Sequence, residues 1–247
     1  NVLAPFLLGA LAALPAQDPQ DRLLASFRDG LGPHGVFVDA AGVIRGEGEP
    51  YRATFVIGAE IEVETGDAAA PHARLHLRFA EARRNAQQCR HDPNALPSVH
   101  GNVVRWQHGA VAETYTMQPA GFEQAFVFAE RPAGHGDLVV AIEASGNVAT
   151  AATDGTAHRA LEWRLGGRPA IRHREAFAVD PTRRRIPIAT GYDGAGRIEL
   201  TVPGAFVDTA VMPLTVDPVV GPTLQPGGGF LRDNAPDVAY APASDRV

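Results

Sequence analysis

The groups in this chain able to do chemistry are its carboxylates, its nine histidines and a single cysteine. Carboxylates recur in pairs along short segments: Glu60, Glu62 and Glu64; Glu113 and Glu123; Glu143 and Glu162. A glycosidase needs two such groups facing each other across a cleft at a set separation. On a strand, however, Glu60, Glu62 and Glu64 fall on one side and Ile61 and Val63 on the other. That is how a sheet shows a polar face to water. The only Cys/His cluster is Cys89-Arg90-His91, with His72, His76 and His100 nearby in sequence. It has no second cysteine and no CxxC or HExxH spacing, so it reads as a solvated loop and not a metal centre. Ser145 lies in Ala-Ser-Gly-Asn, outside any nucleophile-elbow pattern.

Composition removes further chemistries. All 22 basic residues are Arg, so neither a Schiff-base lysine nor a P-loop lysine exists in this chain. A net charge of −6 with evenly scattered arginines argues against a nucleic-acid partner. Asp233, Asn234 and Asp237 lack the calcium-loop spacing. No catalytic, metal or cofactor-binding residue is assigned. A ligand-binding face remains conceivable: Trp106, Tyr115 and Trp163 as an aromatic platform, with Arg183, Arg184 and Arg185 to meet an anion or acidic polymer. Packing between sheets is the ordinary role of such aromatics, and a hydrated turn that of such an arginine run.

The elements that would position these residues are short strands. From residue 35 turn signals come every 8–12 positions and the segments between them often alternate, which predicts an all-β antiparallel sandwich, or two small stacked sandwiches, over 35–218. Expected strands include Gly35–Val38, Val43–Arg45, Tyr51–Glu64 with a bend at Gly58, Ala73–Phe79, Val103–Gln107, Val111–Met117, Phe122–Ala129, Leu138–Ala144, Ala160–Leu165, Ala170–His173, Ile186–Thr190, Arg197–Val202 and Val211–Val216. Residues 80–101 have two prolines and no period, and read as a long loop or sub-boundary.

The ends read differently. Residues 2–14 form an apolar run too short to span a bilayer, and with Ala16 they fit a signal-peptide remnant over 1–16. A short helix and linker are expected over 17–34, capped by Asp18 or Asp21 and stopped at Gly32-Pro33. No other segment spans a membrane. One cysteine allows no intrachain disulfide, so a secreted core must hold unaided. Residues 219–235 read as a Gly/Pro linker, and 236–247 as the first strand of a further unit cut short. The missing initiator Met points to the same truncation.

Several stretches carry a resemblance. Trp106, Glu113-Thr114-Tyr115, Gly121-Phe122-Glu123-Gln124-Ala125-Phe126, Gly134-His135-Gly136-Asp137-Leu138 and the close Met212-Pro213-Leu214-Thr215-Val216-Asp217-Pro218 occur in an order that resembles the N-terminal β-rich region of large secreted bacterial repeat proteins. In those, a G-(hydrophobic)-E-(Q/H)-x-F strand and a YPLTIDP-like close precede FG-GAP-like, β-propeller-type repeats. Met212 departs from the usual aromatic. Asp237-Val238-Ala239-Tyr240 looks like the start of such a repeat, with Ala241 where Asp is common. The resemblance implies an extracytoplasmic, non-catalytic module, structural or adhesive. Its partners would be its own downstream repeats and an extracellular or cell-surface polymer, and calcium would belong only to those repeats. The alternatives are a carbohydrate- or polymer-binding domain and a glycoside hydrolase-type enzyme or accessory domain.

Overall fold

Alternating burial along nearly every segment shows the chain closing two sheets over a shared interior. A computed structural model describes residues 35–56, 58–65 and 72–223. The expected signal peptide, N-terminal helix and downstream repeat start lie outside these residues. The described strands are β1 (Gly35–Val38), β2 (Ile44–Gly48), β3 (Tyr51–Val56), β4 (Glu60–Thr65), β5 (Ala73–Arg84), β6 (Gln87–Arg90), β7 (Ser98–His100), β8 (Val103–His108), β9 (Val111–Gln118), β10 (Gly121–Phe128), β11 (Leu138–Gly146), β12 (Leu161–Leu165), β13 (Arg168–His173), β14 (Phe177–Val179), β15 (Arg185–Pro187), β16 (Ala189–Tyr192), β17 (Arg197–Val202), β18 (Leu214–Asp217) and β19 (Val219–Pro222). One short helix, α1 (Gly204–Thr209), follows β17.

The first sheet runs β1-β2-β3-β4-β5-β11-β17-β16, with β6 paired to the far end of β5. The second centres on β10, which pairs with β9 along its length. The other edge of β10 is shared: β18 pairs with Phe126–Phe128 and β19 with Phe122–Glu123. The Gln124 amide donates to the Pro218 carbonyl at 3.1 Å and so spans the break between them. From there β14-β15 extend one half of the sheet and β13-β12 the other. All these pairings are antiparallel. A single apolar cluster fills the space between the sheets, so the architecture is one sandwich.

Two expectations are corrected. Residues 80–101 are mostly strand: β5 continues to Arg84, and β6 and β7 follow. The rhythm fails there because Ala80 is a β-bulge; Ile142 of β11 faces Phe79, while its neighbour Ala141 faces Glu81. The extra residue shifts the phase of the strand. Before it Leu75, Leu77 and Phe79 point inward; after it Ala82 and Arg84 do. The supposed linker also starts late, since Val219–Pro222 is a strand held between β10 and β13.

Arg84, at 1% exposure, is the most unexpected inward side chain. Its guanidinium donates to the Gly136 and Pro132 carbonyls and to Asp208 on α1. Arg131 donates to the Val207 and Ala210 carbonyls at the end of the same helix. Asp137 accepts the Gly204 amide at its start. A six-residue helix is too short to persist alone, and these side chains hold it against the sandwich.

Three hairpins share one turn. Asp39, Asp180 and Asp193 each donate their amide to the carbonyl four residues on. Each Oδ1 also accepts the amides two and four residues on: Ala41 and Val43, Thr182 and Arg184, Ala195 and Arg197. These bonds lower the pKa of Asp39 and Asp193; that of Asp180 is lowered chiefly by the Thr182 hydroxyl, which donates to Oδ1 at 2.6 Å, and then by backbone amides. The third residue after the aspartate must then take a positive φ, the usual requirement of this loop. Gly42 (80°) and Gly196 (116°) do so freely; the third turn places Arg183 there at 66°. A left-handed L-residue costs about 1–2 kcal/mol. Arg183→Gly is therefore expected to stabilise the fold by about 0.5–1 kcal/mol, glycine's larger unfolded-state entropy offsetting part of the gain. Arg183→Ala should change it little. Urea midpoints of the two variants check this.

Candidate functional site

The aromatic face expected from the sequence is internal. Trp106 and Tyr115 are 0% exposed and Trp163 is 2% exposed. Trp106 and Tyr115 meet edge to face, and both pack on Phe55 of the opposite sheet with centroids 5.6 Å away. Trp163 meets Tyr192 across the sandwich at 5.1 Å. These three rings are core, and no platform is formed by them. The arginine run is likewise taken apart. Arg184 donates to Thr209 and lies over Phe206, while Arg185 lies 3.4 Å over the Phe177 ring. Arg183 holds the turn apex.

The carboxylate pairs separate as well. Glu113 points into the interior, whereas Glu123 on the neighbouring strand points out. Glu143 and Glu162 stand on different sheets. Glu60, Glu62 and Glu64 sit opposite Arg78, His76 and Arg74 of β5. Their oxygens meet His76 at 2.9 and 3.4 Å and Arg74 at 3.1 Å. Among the described residues no group of three or more His, Cys, Asp or Glu is placed to hold a metal ion. No described helix is long and apolar enough to cross a membrane.

What the structure does assemble is a buried polar centre. Glu113 is fully buried between Trp106 and Phe126 of the flanking strands. Its Oε1 accepts from the Tyr115 hydroxyl (2.7 Å) and from Gln124 Nε2 (3.0 Å); its Oε2 faces His108 Nε2 (3.1 Å). The Asp92 amide donates to His108 Nδ1 at 3.3 Å, so the ring proton is assigned to Nε2 and points at Glu113. Gln124 also donates to the Tyr115 oxygen, which closes a triangle. Burial, then the Glu113 charge, pushes the Tyr115 phenol well above its ordinary value, so it stays a donor. Phe79 stacks on His108 at 4.7 Å. The signal for this centre was in the sequence: His108, Glu113 and Gln124 stand at the inward positions of three alternating strands. Sealed from solvent, it can hold register but cannot meet a substrate.

Two other titratable groups are displaced by their surroundings. Burial depresses the pKa of His173 to about 4, the Arg174 backbone offsetting this only in part, and neither ring nitrogen makes a well-formed hydrogen bond. Asp217 lies against Glu123 on the outer face of the second sheet. Burial first, then the Glu123 charge, raises its pKa to about 6.

A surface cleft lies where residues 147–160 cross from β11 to β12. It encloses about 600 Å³ and is lined by Asn147, Thr150, Thr153, Arg159, Arg164 and Gly167 among others. The crossover is stapled to both sheets. Asn147 bonds the Arg74 amide and His72 carbonyl, Ala149 bridges to Arg164, and Thr153 bridges to Tyr192. These contacts cover the β12 and β16 edges and make a fixed wall. Arg159 lines this wall, as does Arg164, which is bonded to Glu162 and to the Gly167 carbonyl. Among family models, curated proteins and solved structures, none matches this chain.

Glu113→Ala would leave three buried donors unpaired and is expected to cost about 3–5 kcal/mol. Glu113→Gln, which keeps the volume and an acceptor, should cost less; equilibrium urea unfolding ranks the two. For Asp217 the pH dependence has a definite sign. Its folded pKa of about 6 exceeds the unfolded 3.8, so its favourable contribution is full below 3.8 and is lost as pH rises to 6. Asp217→Asn should therefore stabilise at pH 8 by about 1–2 kcal/mol, after allowance for screening at a partly exposed site, and not at pH 4. Thermal melts at the two pH values test this.

Proposed function

We propose that this chain is a non-catalytic, extracytoplasmic β-sandwich module of a larger repeat protein, with a binding or adhesive role. The observation that carries this reading is how the polar groups are used. The buried carboxylate is sealed inside a closed network, and the outer-face glutamates of the first sheet are tied to arginine and histidine. The open cleft at the crossover is lined by arginine, threonine, asparagine and glycine and by one carboxylate, Glu162, which is tied to Arg164. Such a lining suits binding of a polar ligand better than proton transfer. The Met212–Pro218 close, part of the resemblance to secreted repeat proteins, forms β18 and is paired on both sides, by β10 and β14.

The test is product release from a panel of polysaccharides, glycosides and peptides incubated with the purified chain. No product is expected with any of them. Product that disappears in Asp217→Asn or Glu123→Gln would replace this reading with a hydrolase using that carboxyl pair.

A further inference from the structure

The outer faces of the two sheets treat arginine differently. On the first sheet the arginines of adjoining strands meet carboxylates: Arg74 with Glu64, Arg78 with Glu143, Arg83 with Glu199, and Arg197 with Glu81 and Glu199. At the β12-β13 end of the second sheet they do not. The bulge opposite Trp163 and Arg164 pairs Arg168 with the core-facing Leu165, but Ile171 and His173 of β13 face inward and are fully buried, so the alternation puts Arg172 and Arg174 on the outer side. Their side chains form no hydrogen bond or ion pair among the described residues. Arg164 of β12 lies on the same side, joined to Glu162, which stands opposite Arg172. The other carboxylate in this stretch, Glu175, is exposed. Arg159 and Arg164 continue the row into the cleft of about 600 Å³ at the crossover.

We infer that this arginine row, Arg159, Arg164, Arg172 and Arg174, is a docking surface for an acidic polysaccharide. The inference rests on the binding role proposed above and names its surface and ligand class. Charge complementarity is the first argument. Four arginines with one carboxylate, Glu162, among them create, on a chain of net charge −6, a local field that attracts a polyanion. Planar guanidinium groups match carboxylates with paired N–H donors. The shape is the second. From Arg174 and Arg172 the row crosses to Arg164 on the neighbouring strand and on into the cleft, the path an extended single polymer chain would follow. A two-residue Gly166-Gly167 turn, both at positive φ, fixes β12 against β13 beneath it. The third argument separates polysaccharide from nucleic acid. Single-stranded nucleic acid is held by aromatic stacking, and Trp163 and His173, the aromatic side chains of these two strands, are both buried.

Polygalacturonate, unmodified dextran and a single-stranded DNA oligonucleotide serve as probes, with binding measured by biolayer interferometry on the whole chain at low and moderate salt. The chain should bind polygalacturonate, bind it more weakly as salt rises, and leave dextran unbound. The triple variant R159Q/R172Q/R174Q should weaken this binding about tenfold or more. The control R52Q/R90Q/R183Q, which removes equal charge elsewhere, should weaken it about twofold or less. Equal losses in the two variants, absence of polygalacturonate binding, or tighter binding to the oligonucleotide would each overturn the inference. Dextran binding that survives the triple variant would overturn it while leaving a binding module in place. Release of product from polygalacturonate would instead count against the non-catalytic reading.

Discussion

The sandwich is organised around one buried negative group. A lone carboxylate between two sheets would be intolerable, since the interior offers no water to solvate it. Glu113 is accommodated because three donors from three strands converge on it: His108 of β8, Tyr115 of β9 and Gln124 of β10. This has a consequence for register. A strand slipped by one residue turns every side chain to the other face. Here a slip of β8 or β10 would also leave a buried charge short of a donor, a penalty that apolar packing alone would not impose. The Asp92 amide on His108 extends this control to the loop after β6, and so to the opposite sheet.

The sheets are joined a second time at the far end. Tyr51 of β3 donates its hydroxyl to the Gly121 carbonyl at 2.6 Å, and the Gln118 carbonyl and amide lie within 2.9 and 3.3 Å of the same oxygen. Burial pushes this phenol up to about 12, which keeps the proton in place. The Glu49 amide reaches Pro119 beside it. Gly48 permits the approach, because a Cβ there would lie 2.7 Å from the Pro119 carbonyl oxygen. Apolar packing between the sheets is non-directional; these polar contacts decide how one sheet sits on the other.

How far such a fold can be read beforehand depends on whether its determinants are local. The alternation of Ala73–Phe79 and of Glu60–Glu64 is local, and so are the Asp-led turns at residues 39 and 193. Those elements were legible. The bulge at Ala80 was not, because an inserted residue changes the phase of a strand only through its pairing with β11. The result was a strand mistaken for a loop, with Arg84, a buried clamp, inside it. Helix α1 was hidden for a related reason: residues distant in sequence, Arg84, Arg131 and Asp137, hold it in place. The supposed ligand face failed because Trp106, Tyr115 and Trp163 carry enough apolar area that closing the sandwich over them outweighs presenting them to water. The buried centre was partly legible, as polar residues at inward positions, but their convergence on Glu113 depends on the register of three strands.

The distribution of arginine follows from the same pairing rules. On the first sheet, β4, β5, β11 and β17 place opposite charges side by side, Glu60 by Arg78, Arg78 by Glu143, and Glu143 by Arg197. Cross-strand pairs of this kind are favourable, and they leave the face nearly neutral. Beside Arg172 on the second sheet the inner neighbour is Gly221, which offers no charge, and on the other side Glu162 is drawn to Arg164. Gly221 cannot readily be replaced by an acidic residue, because a Cβ there would lie 2.9 Å from the Ala120 carbonyl oxygen. The close approach of β19 to the β9-β10 turn thus removes the position from which Arg172 could be neutralised. The same backbone packing that builds the second sheet therefore leaves a cationic row on its outer face.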